Sequence, residues 1–449
     1  MKKLMAAVLA MIMALAACGI AAAEQEARKM ETPADAEEFI TAFLGDHPED
    51  MEGIWAFTAQ MNAALTMYGG IGGLAKQFVS MGKPVSIDPA YEGEVQGYKA
   101  FFVPIVFSAL STDLILVVQD GKIAGISPGA YSGGGKEEPV ESDSFDSVDL
   151  SLPVPSLGDL PGVLTLPKGE GPFPAVVLIH GSGSSDKDET VMNLKPFRDL
   201  AEGLAERGVA VYRFDKRSYV YGLQIAADKQ FTPENESVED AVNAVQLLAA
   251  QDRIDPGRIW VLGHSLGGNL IPAIAGKLES APVKACGFIM LAASPRPLDV
   301  LMREQYDFLY SLMPEITPEM QAEKDQTFAD LDKLQDLGTL PEDDQVLGVW
   351  PAYWKWLAAY DILAEAEKIE KPVLLLQGEE DYQVTMKDFA LWKDALGEKE
   401  NWTMISFPGL THCFVPGRRA EGSAVYSSDG KVDGEVIRVI ADFVATFGK

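Results

Sequence analysis

Residues 258–268, Arg-Ile-Trp-Val-Leu-Gly-His-Ser-Leu-Gly-Gly, constrain the fold of this chain more than any other stretch. The apolar run at 259–262 predicts a short buried strand, and the small and apolar residues at 269–278 predict a helix. Between them lies a G-x-S-x-G sequence centred on Ser265. Its glycines suit a strained turn, because larger side chains there would collide with neighbouring backbone. The pattern therefore predicts a serine hydroxyl raised above a sheet and close to a helix N-terminus, which favours negative charge.

The acidic balance of the chain restricts its partners. Among 449 residues there are 67 Asp and Glu against 37 Lys and Arg, which gives a net charge of −30. Such a surface repels nucleic-acid phosphates and anionic lipid, so we expect no nucleic-acid partner. Hydrophobic residues make up 47% of the chain, which is ample for a large core, and the length predicts two or three domains.

Residues 1–23 are interpreted as a targeting segment. Lys2 and Lys3 precede a 14-residue apolar run, which suits an export signal and is too short to span a bilayer as a stable helix. The run ends in Ala-Ala-Cys-Gly and resembles a bacterial lipoprotein signal. That resemblance implies lipidation of Cys18, and hence an exported protein anchored by lipid at the outer face of a bacterial cell membrane. Cleavage after residues 21–23, giving a secreted or periplasmic protein, is the alternative.

The rest of the chain divides into two predicted domains and a linker. Residues 31–128 predict a small α+β domain in which helices precede an antiparallel sheet, and 129–146 form a linker rich in Gly, Ser and acidic residues. The predicted helices are 32–44, 50–66 and 71–81, and the predicted strands are 84–91, 98–108, 112–119 and 122–127. Asp120-Gly121 is a hairpin signal between the last two strands.

From residue 147 strands and helices alternate, and continuous apolar runs such as 175–179 are typical of a parallel sheet buried on both faces. The strands are expected at 147–152, 161–166, 175–180, 209–214, 259–262, 287–292, 372–377 and 402–407. The helices are expected at 194–207, 236–250, 265–278, 384–396 and 432–447. The first two strands are expected to form an antiparallel hairpin at the sheet edge.

This order of strands and helices, with its Gly-His-Ser-Leu-Gly turn, resembles the α/β-hydrolase superfamily over about 147–449. Within it the chain looks most like exported carboxylesterases and the serine aminopeptidase-like branch. The resemblance implies an α/β-hydrolase fold, a mostly parallel sheet flanked by helices. A strand-free insertion at about 295–366 stands where such proteins carry a helical cap. The domain at 31–128 resembles the accessory domain often fused in front of exported members.

A serine hydroxyl needs a base to take its proton, and the base needs an acid to fix its tautomer. The chain has four histidines. His47 lies in the accessory domain, His180 ends a strand and belongs to another motif, and His264 is adjacent to Ser265. His412, in the loop after the last predicted strand, is therefore the candidate base.

The resemblance also implies an acid and an oxyanion hole. Members run Ser, Asp or Glu, then His along the chain, and Asp381 matches the G-x-x-D position after a strand, with Glu379 or Glu380 as alternatives. His-Gly-Ser-Gly at 180–183 resembles the H-G-x-G oxyanion loop. The oxyanion hole is accordingly assigned to the backbone N–H groups of Ser182 and Leu266.

Several neighbouring features have two interpretations. Trp350, Tyr353 and Trp354 in the insertion either pack the cap onto the body or line a substrate pocket. Asp215 and Arg217 follow a strand and form either a structural salt bridge or a site that positions a polar substrate. The polar run at 184–190 predicts a solvated loop.

Two further observations concern metals and thiols. No zinc-binding pattern and no dinucleotide G-x-G-x-x-G after a strand is present in the sequence, so neither a metal nor a cofactor is expected. Cys286 and Cys413 are interpreted as two buried thiols, with a disulfide between them as the alternative.

The expected activity is hydrolysis of small-molecule carboxylic esters through an acyl-enzyme on Ser265. One alternative is a peptidase or amidase that uses the same three residues. The other is a non-catalytic, lipid-anchored binding protein on a hydrolase scaffold, in which the set of catalytic serine, histidine and acid would be incomplete.

Overall fold

The computed structural model describes residues 27–76, 78, 84–95, 98–107, 111–129, 142–155, 157–313 and 316–448. The predicted signal segment with Cys18, and most of the predicted linker, lie outside these residues. The chain forms two compact units, residues 1–138 and 139–449. Each unit has a hydrophobic core built from its own residues.

The first unit combines helices with an antiparallel sheet. Its helices are α1 (Pro33–Phe43), α2 (Ala59–Tyr68) and α3 (Ile71–Ala75). Its strands are β1 (Pro84–Ile87), β2 (Tyr91–Val95), β3 (Tyr98–Phe107), β4 (Ser111–Gln119) and β5 (Lys122–Gly129). The sheet order is β1-β3-β4-β5, and β2 also pairs with β3. The turn at Asp120-Gly121 has positive φ at both residues, as the hairpin signal requires.

The continuous helix predicted over 50–66 is wrong. A 3₁₀ turn over Pro48–Met51 is followed by Gly53 at φ +77°, and Trp55 and Phe57 then form isolated β-bridges. Thr58 starts α2 by accepting the N–H of Met61 at 3.2 Å. Pairing of residues 55–57 with other segments outweighs the helical pattern, since tertiary contacts override a weak local propensity.

The second unit is organised around an eight-stranded sheet. Its strands are β6 (Phe145–Asp149), β9 (Gly162–Pro167), β10 (Phe173–Ile179), β11 (Ala210–Phe214), β12 (Ile254–His264), β13 (Gly287–Leu291), β14 (Val373–Gly378) and β15 (Trp402–Phe407). Their order is β15-β14-β13-β12-β10-β11-β9-β6. Strands β10 to β15 pair in parallel, whereas β9 and β6 add an antiparallel edge. A two-stranded ribbon, β7 (Leu152–Val154) and β8 (Gly158–Leu160), lies between β6 and β9 in the chain.

Helices cover both faces of this sheet, so its central strands are apolar on both sides. In β10, Val177 and Ile179 belong to one core cluster, and Val176 and Leu178 belong to the other. The helices are α4 (Pro196–Ala205), α5 (Arg217–Val220), α6 (Gly222–Ala227), α7 (Glu239–Ala249), α8 (Leu266–Glu279), α13 (Met386–Leu396) and α14 (Gly434–Phe447). Helices α7, α8 and α13 pack on one face, and α4 and α14 pack on the other. This is the α/β-hydrolase fold that the sequence predicted.

The insertion between β13 and β14 is helical. It contains α9 (Leu298–Ser311), α10 (Pro318–Lys333), α11 (Pro351–Ala359) and α12 (Ile362–Glu367). Leu331 and Leu334 are buried in a separate cluster with Val346 and Trp354. We refer to residues 295–366 as the cap.

Two further properties concern the described part of the chain. None of its helices is both long enough and apolar enough to cross a membrane. Its His, Cys, Asp and Glu side chains form no group of three that would hold a metal ion.

Candidate active site

Ser265 occupies the sharp turn between strand β12 and helix α8. Its backbone has φ +52° and ψ −119°, a strained combination for a residue with a side chain. A Cβ atom on Gly263 would lie 2.2 Å from the carbonyl oxygen of Gly267, and one on Gly267 would lie 2.3 Å from that of Ile179. The turn therefore requires both glycines. It is anchored by the Ser265 N–H, which donates to the carbonyl of Leu291 at 2.9 Å.

Asp381 and His412 lie in the loops that follow the neighbouring parallel strands β14 and β15. The Nδ1 atom of His412 is 2.7 Å from Oδ2 of Asp381, and the two residues are only 4% and 1% exposed. The other carboxylate oxygen accepts the backbone N–H groups of Gln383 at 2.7 Å and Val384 at 3.0 Å. These bonds orient the carboxylate so that Oδ2 faces the imidazole.

The two alternative acids lie elsewhere. Glu379 is exposed and accepts the hydroxyl of Ser406 at 2.8 Å. Glu380 accepts a backbone N–H of the segment after the histidine loop. The structure thus brings Asp381, and neither glutamate, into contact with His412.

The loop that carries His412 is held tightly. Thr411 and Val415 are joined by a backbone hydrogen bond of 3.0 Å across the loop. A Cβ atom on Gly378 would lie 2.4 Å from the carbonyl oxygen of Leu410. Because Gly378 at the end of β14 has no side chain, the turn between β14 and Asp381 packs directly against the loop that carries His412.

His264 connects this loop to the serine turn. The rings of His264 and His412 lie 4.7 Å apart, and Nε2 of His264 is 3.0 Å from the backbone oxygen of His412. Nδ1 of His264 is 2.8 Å from Oε2 of Glu189. The other oxygen of Glu189 accepts the N–H of Gly181 at 2.6 Å. The buried pair of His264 and Glu189 therefore connects the residue before the serine to the loop that carries His412 and to the loop at 180–183.

His264 and Glu189 stabilise each other's charge. Burial lowers the pKa of His264, but the Glu189 carboxylate, together with the backbone oxygen of His412 and the charge of Asp381, raises it, and the net pKa is raised. Burial likewise raises the pKa of Glu189, but the charge of His264 and the N–H of Gly181 contribute to a net lowering. The two side chains therefore form an ion pair in the folded protein.

The prediction of a solvated loop at 184–190 is wrong for its central residues. Asp188 and Glu189 are 3% and 4% exposed. Asp188 accepts from Nε of Arg213 at 2.7 Å, and Glu189 contacts His264. Buried carboxylates require such partners, which the local sequence does not reveal.

The His-Gly-Ser-Gly loop at 180–183 follows β10 and passes beside the serine. A Cβ atom on Gly181 would lie 3.1 Å from the Cβ of Ser265. Ser182 lines the same cavity as Ser265 and Leu266, so the two residues whose N–H groups are assigned to an oxyanion hole border one space.

A buried lysine lies behind this loop. Nζ of Lys216 donates to the backbone oxygens of Gly181 and Gly183, both at 2.9 Å. It also lies 3.4 Å from Oε1 of Glu236. Glu236 belongs to a π-helical turn, Glu234–Val238, and its other oxygen accepts the hydroxyl of Tyr353 at 2.6 Å.

Asp215 and Arg217 do not pair with each other. Arg217 forms a buried ion pair with Asp240, with Nε 2.8 Å from Oδ2. Asp215 instead accepts the backbone N–H of Lys187 at 2.7 Å. The sequence placed the two residues correctly after a strand, but their actual partners are distant in the chain and hence were not predictable from it.

A cavity of about 580 Å³ adjoins Ser265. Its wall is largely apolar, and one face of α9 supplies much of it. Trp350, Tyr353 and Trp354 all line it. Tyr353 is also buried and stacks on Phe231, whereas Trp354 is buried in the apolar cluster of the cap. A role of the three residues in substrate binding stays a prediction.

The two remaining cysteines are free thiols. Cys413 is buried next to His412, and Cys286 is half-buried. They do not form a disulfide. The interpretation as a buried thiol is confirmed for Cys413, and it is wrong for Cys286.

Comparison with known families matches residues 176–422 to a model described as "Alpha/beta hydrolase family". The match covers more than half of the chain and includes the serine turn, the cap, Asp381 and His412. The chain belongs to the α/β-hydrolase family. Its fold and the order of its candidate residues agree with that membership.

Among its relatives, this α/β hydrolase is similar to Esterase EstD of Thermotoga maritima, with 37% identity over 330 residues. The alignment covers 73% of this chain and 75% of EstD. Among solved structures it is similar to Est1E from Butyrivibrio proteoclasticus, at 17% identity and a TM-score of 0.43, covering 67% of this chain and 98% of Est1E. The esterase of the archaeon Pyrobaculum calidifontis matches at 16% identity and a TM-score of 0.38, covering 68% and 85%.

Three charged residues of this α/β hydrolase were missed by sequence reasoning: Glu189, Lys216 and Glu236. Two of them follow the C-terminal ends of β10 and β11, where parallel strands of this fold present functional groups. That position is the signal that would have found Glu189 and Lys216. Glu236 begins a predicted helix, and no pattern marks it.

Proposed function

We propose that this α/β hydrolase is a serine esterase that cleaves carboxylic esters through an acyl-enzyme on Ser265. The observation that carries the proposal is the buried contact of 2.7 Å between His412 and Asp381, in a loop tied to the strained turn of the serine. The similarity to a relative named as an esterase supports the same chemistry.

In the proposed mechanism, Asp381 accepts the Nδ1–H of His412, which leaves Nε2 as the base. Nε2 takes the proton of the Ser265 hydroxyl as the oxygen attacks the ester carbonyl carbon. The N–H groups of Ser182 and Leu266 bind the resulting oxyanion. His412 then protonates the leaving alcohol. Water, deprotonated by the same histidine, hydrolyses the acyl-enzyme and releases the acid.

The cavity wall favours esters with an apolar group over substrates with a free amine. Among the described residues that line it, Glu236 is the one carboxylate, and it is already paired with Lys216 and Tyr353. An aminopeptidase needs a free acidic group to bind the substrate amine. We therefore infer a small-molecule ester with an apolar acyl or alcohol part, and rank peptide hydrolysis second.

The test compares the wild type with Ser265→Ala on p-nitrophenyl esters of increasing acyl length and on aminoacyl anilides. We expect ester turnover in the wild type and a kcat at least about 10³-fold lower in the variant. Ser280→Ala, which changes an exposed serine after α8, should match the wild type. Faster turnover of anilides than of matched esters would favour a peptidase, and full activity of Ser265→Ala would end the proposal.

We also propose that the protein is exported and lipid-anchored through Cys18. The support is the charged start, the apolar run and the Ala-Ala-Cys-Gly sequence. Expression in a bacterial host with an alkyne fatty acid should label the wild type and not Cys18→Ala. Equal labelling of both proteins, or none of the wild type, would contradict the lipid anchor.

A further inference from the structure

Lys216 is a fully buried cation whose contacts all lie close to the proposed oxyanion hole. Its residue is 2% exposed, and its Nζ atom meets the backbone oxygens of Gly181 and Gly183 and the carboxylate of Glu236. These acceptors match the three donors of an ammonium group. Because burying a charge is costly even when it is paired, the contacts of this lysine point to a role beyond stability.

The contact with Gly181 fixes the direction of the N–H of Ser182. Both groups belong to the same peptide unit, which is planar and is not among the cis peptides of the described chain. In a trans peptide the C=O and N–H point in opposite directions. Holding the oxygen of Gly181 against Lys216 therefore directs the N–H of Ser182 away from the lysine.

The same loop is held on its other side. Oε1 of Glu189 accepts the N–H of Gly181 at 2.6 Å, and the backbone N–H of Lys216 donates to Ser185 at 3.0 Å. The peptide groups before and after the α-carbon of Gly181 are thus both fixed by buried charged side chains. The loop has little freedom to rotate the Ser182 amide.

We propose that Lys216 is a positioning residue for the oxyanion hole, which it serves by orienting and polarising the peptide between Gly181 and Ser182. The ammonium charge at the carbonyl oxygen draws electron density through the peptide and strengthens the N–H as a donor. Lys216 does not touch the substrate, and its effect is exerted through the Ser182 amide. This inference rests on the proposed function.

Glu236 and Tyr353 extend this arrangement to the cap. Glu236 contacts Lys216 with one oxygen and accepts the Tyr353 hydroxyl at 2.6 Å with the other. Tyr353 comes from cap helix α11 and lines the cavity. Glu236 itself lies in a π-helical turn, a geometry frequent at functional sites. A continuous series of contacts therefore joins a cavity-lining cap residue to the oxyanion peptide.

The experiment uses Lys216→Met and the double variant Lys216→Met/Glu236→Gln. The double variant removes both charges, so it leaves no unpaired ion in the interior. Each protein is measured for kcat and KM on one p-nitrophenyl ester. Each is also measured for affinity to an alkyl trifluoromethyl ketone, which forms an oxyanion on the serine, and to the corresponding alcohol, which forms none.

We expect kcat to fall about 10- to 100-fold, less than the loss for removing a donor outright, with KM changed less than about twofold. Affinity for the ketone should fall by a similar factor, and affinity for the alcohol should stay constant. Lys187→Met, which removes a partly exposed lysine four positions after the loop at 180–183, should match the wild type. Tyr353→Phe should show a smaller loss of the same kind.

Three results would overturn the proposal. One is a folded double variant with wild-type kcat and ketone affinity. Another is an equal loss of affinity for ketone and alcohol, which would indicate general disruption of the site. The third is a double variant that does not fold, since Lys216 would then be a structural residue. Ser265→Ala is measured in the same plate. If the esterase proposal fails, the turnover of Ser265→Ala will equal that of the wild type, which distinguishes this failure from the three results above.

Discussion

At the scale of single residues, the carboxylate of Asp381 is held by hydrogen bonds on both of its oxygens. It is buried, accepts two backbone N–H groups and presents its remaining oxygen to His412. An amide in the same place would keep the shape, but it would present an uncharged group to the Nδ1 side of the imidazole. The imidazole would then lose the partner that fixes its tautomer and stabilises its charged form.

We therefore predict that Asp381→Asn lowers kcat by about 10⁴-fold with little loss of stability. Steady-state kinetics on the ester that the wild type turns over best would measure this. Glu379→Gln alters an exposed carboxylate two positions earlier and should leave kcat unchanged. The reverse ranking of the two variants would show that the acid has been misassigned.

The buried pair of Glu189 and His264 should give the stability of the protein a specific pH dependence. Folding lowers the pKa of Glu189, so its contribution is complete above the ordinary value of 4.5 and is lost as pH falls through the lowered value. Folding raises the pKa of His264, so its contribution is complete below 6.5 and is lost as pH rises through the raised value. The pair therefore stabilises most between these two values.

Glu189→Gln should accordingly lower the free energy of unfolding by about 3 to 5 kcal/mol in that range. Urea unfolding at about pH 5.5 and about pH 9 should show a smaller difference from the wild type at the higher pH. Glu202→Gln breaks a partly exposed pair with Arg198 and should cost less than about 1 kcal/mol. A difference for Glu189→Gln that is the same at both pH values would contradict this account.

At the scale of elements, two of the three glycines in helix α8 have opposite roles. A Cβ atom on Gly267 would lie 2.3 Å from the backbone oxygen of Ile179 and 2.6 Å from that of His180, whereas one on Gly276 would have no atom within 4 Å. Backbone oxygens at the end of a central strand have little freedom to move. The same substitution should therefore disrupt the serine turn at one site and strengthen the helix at the other.

Gly267→Ala should destabilise the protein by about 3 kcal/mol or more and abolish turnover. Gly276→Ala should stabilise it by up to about 1 kcal/mol and preserve kcat. Thermal unfolding and ester kinetics on both variants would measure this. Normal activity and stability of Gly267→Ala would refute the described packing of the turn.

Helix α9 presents one face to the cavity. Leu298, Leu301, Met302, Gln305, Tyr306 and Leu309 line it at helical spacing. Val300 lies on the same helix and is 37% exposed. This face is therefore expected to limit the length of the acyl or alcohol group that the enzyme accepts.

Met302→Trp should fill part of the cavity and shift the preferred p-nitrophenyl ester to a shorter acyl chain, with KM for the longer chains raised about tenfold. Val300→Trp adds the same side chain outside the cavity and should leave the profile unchanged. Profiles of kcat/KM against chain length would distinguish the two. An unchanged profile for Met302→Trp would mean that substrates bind elsewhere.

At the scale of the whole molecule, the sheet of the second unit was predictable because its central parallel strands contain continuous apolar runs, such as residues 175–179 and 373–376. Ser265 was assigned from its G-x-S-x-G turn, His412 by elimination among the four histidines, and Asp381 from a resemblance. Of this set, the structure shows the contact between His412 and Asp381. The helix predicted over 50–66 failed because residues 55–57 pair with distant segments. Glu189, Lys216 and Glu236 escaped because charged residues give no local sign that they are buried.

The central claim is that Ser265 is the nucleophile, and labelling with a fluorophosphonate tests it most directly. The reagent reacts with serines that an adjacent base has activated. Peptide mapping by mass spectrometry should find one phosphonate per protein, on Ser265, and none on Ser265→Ala or on heat-denatured protein. A label on another serine, or equal labelling of Ser265→Ala, would contradict the account.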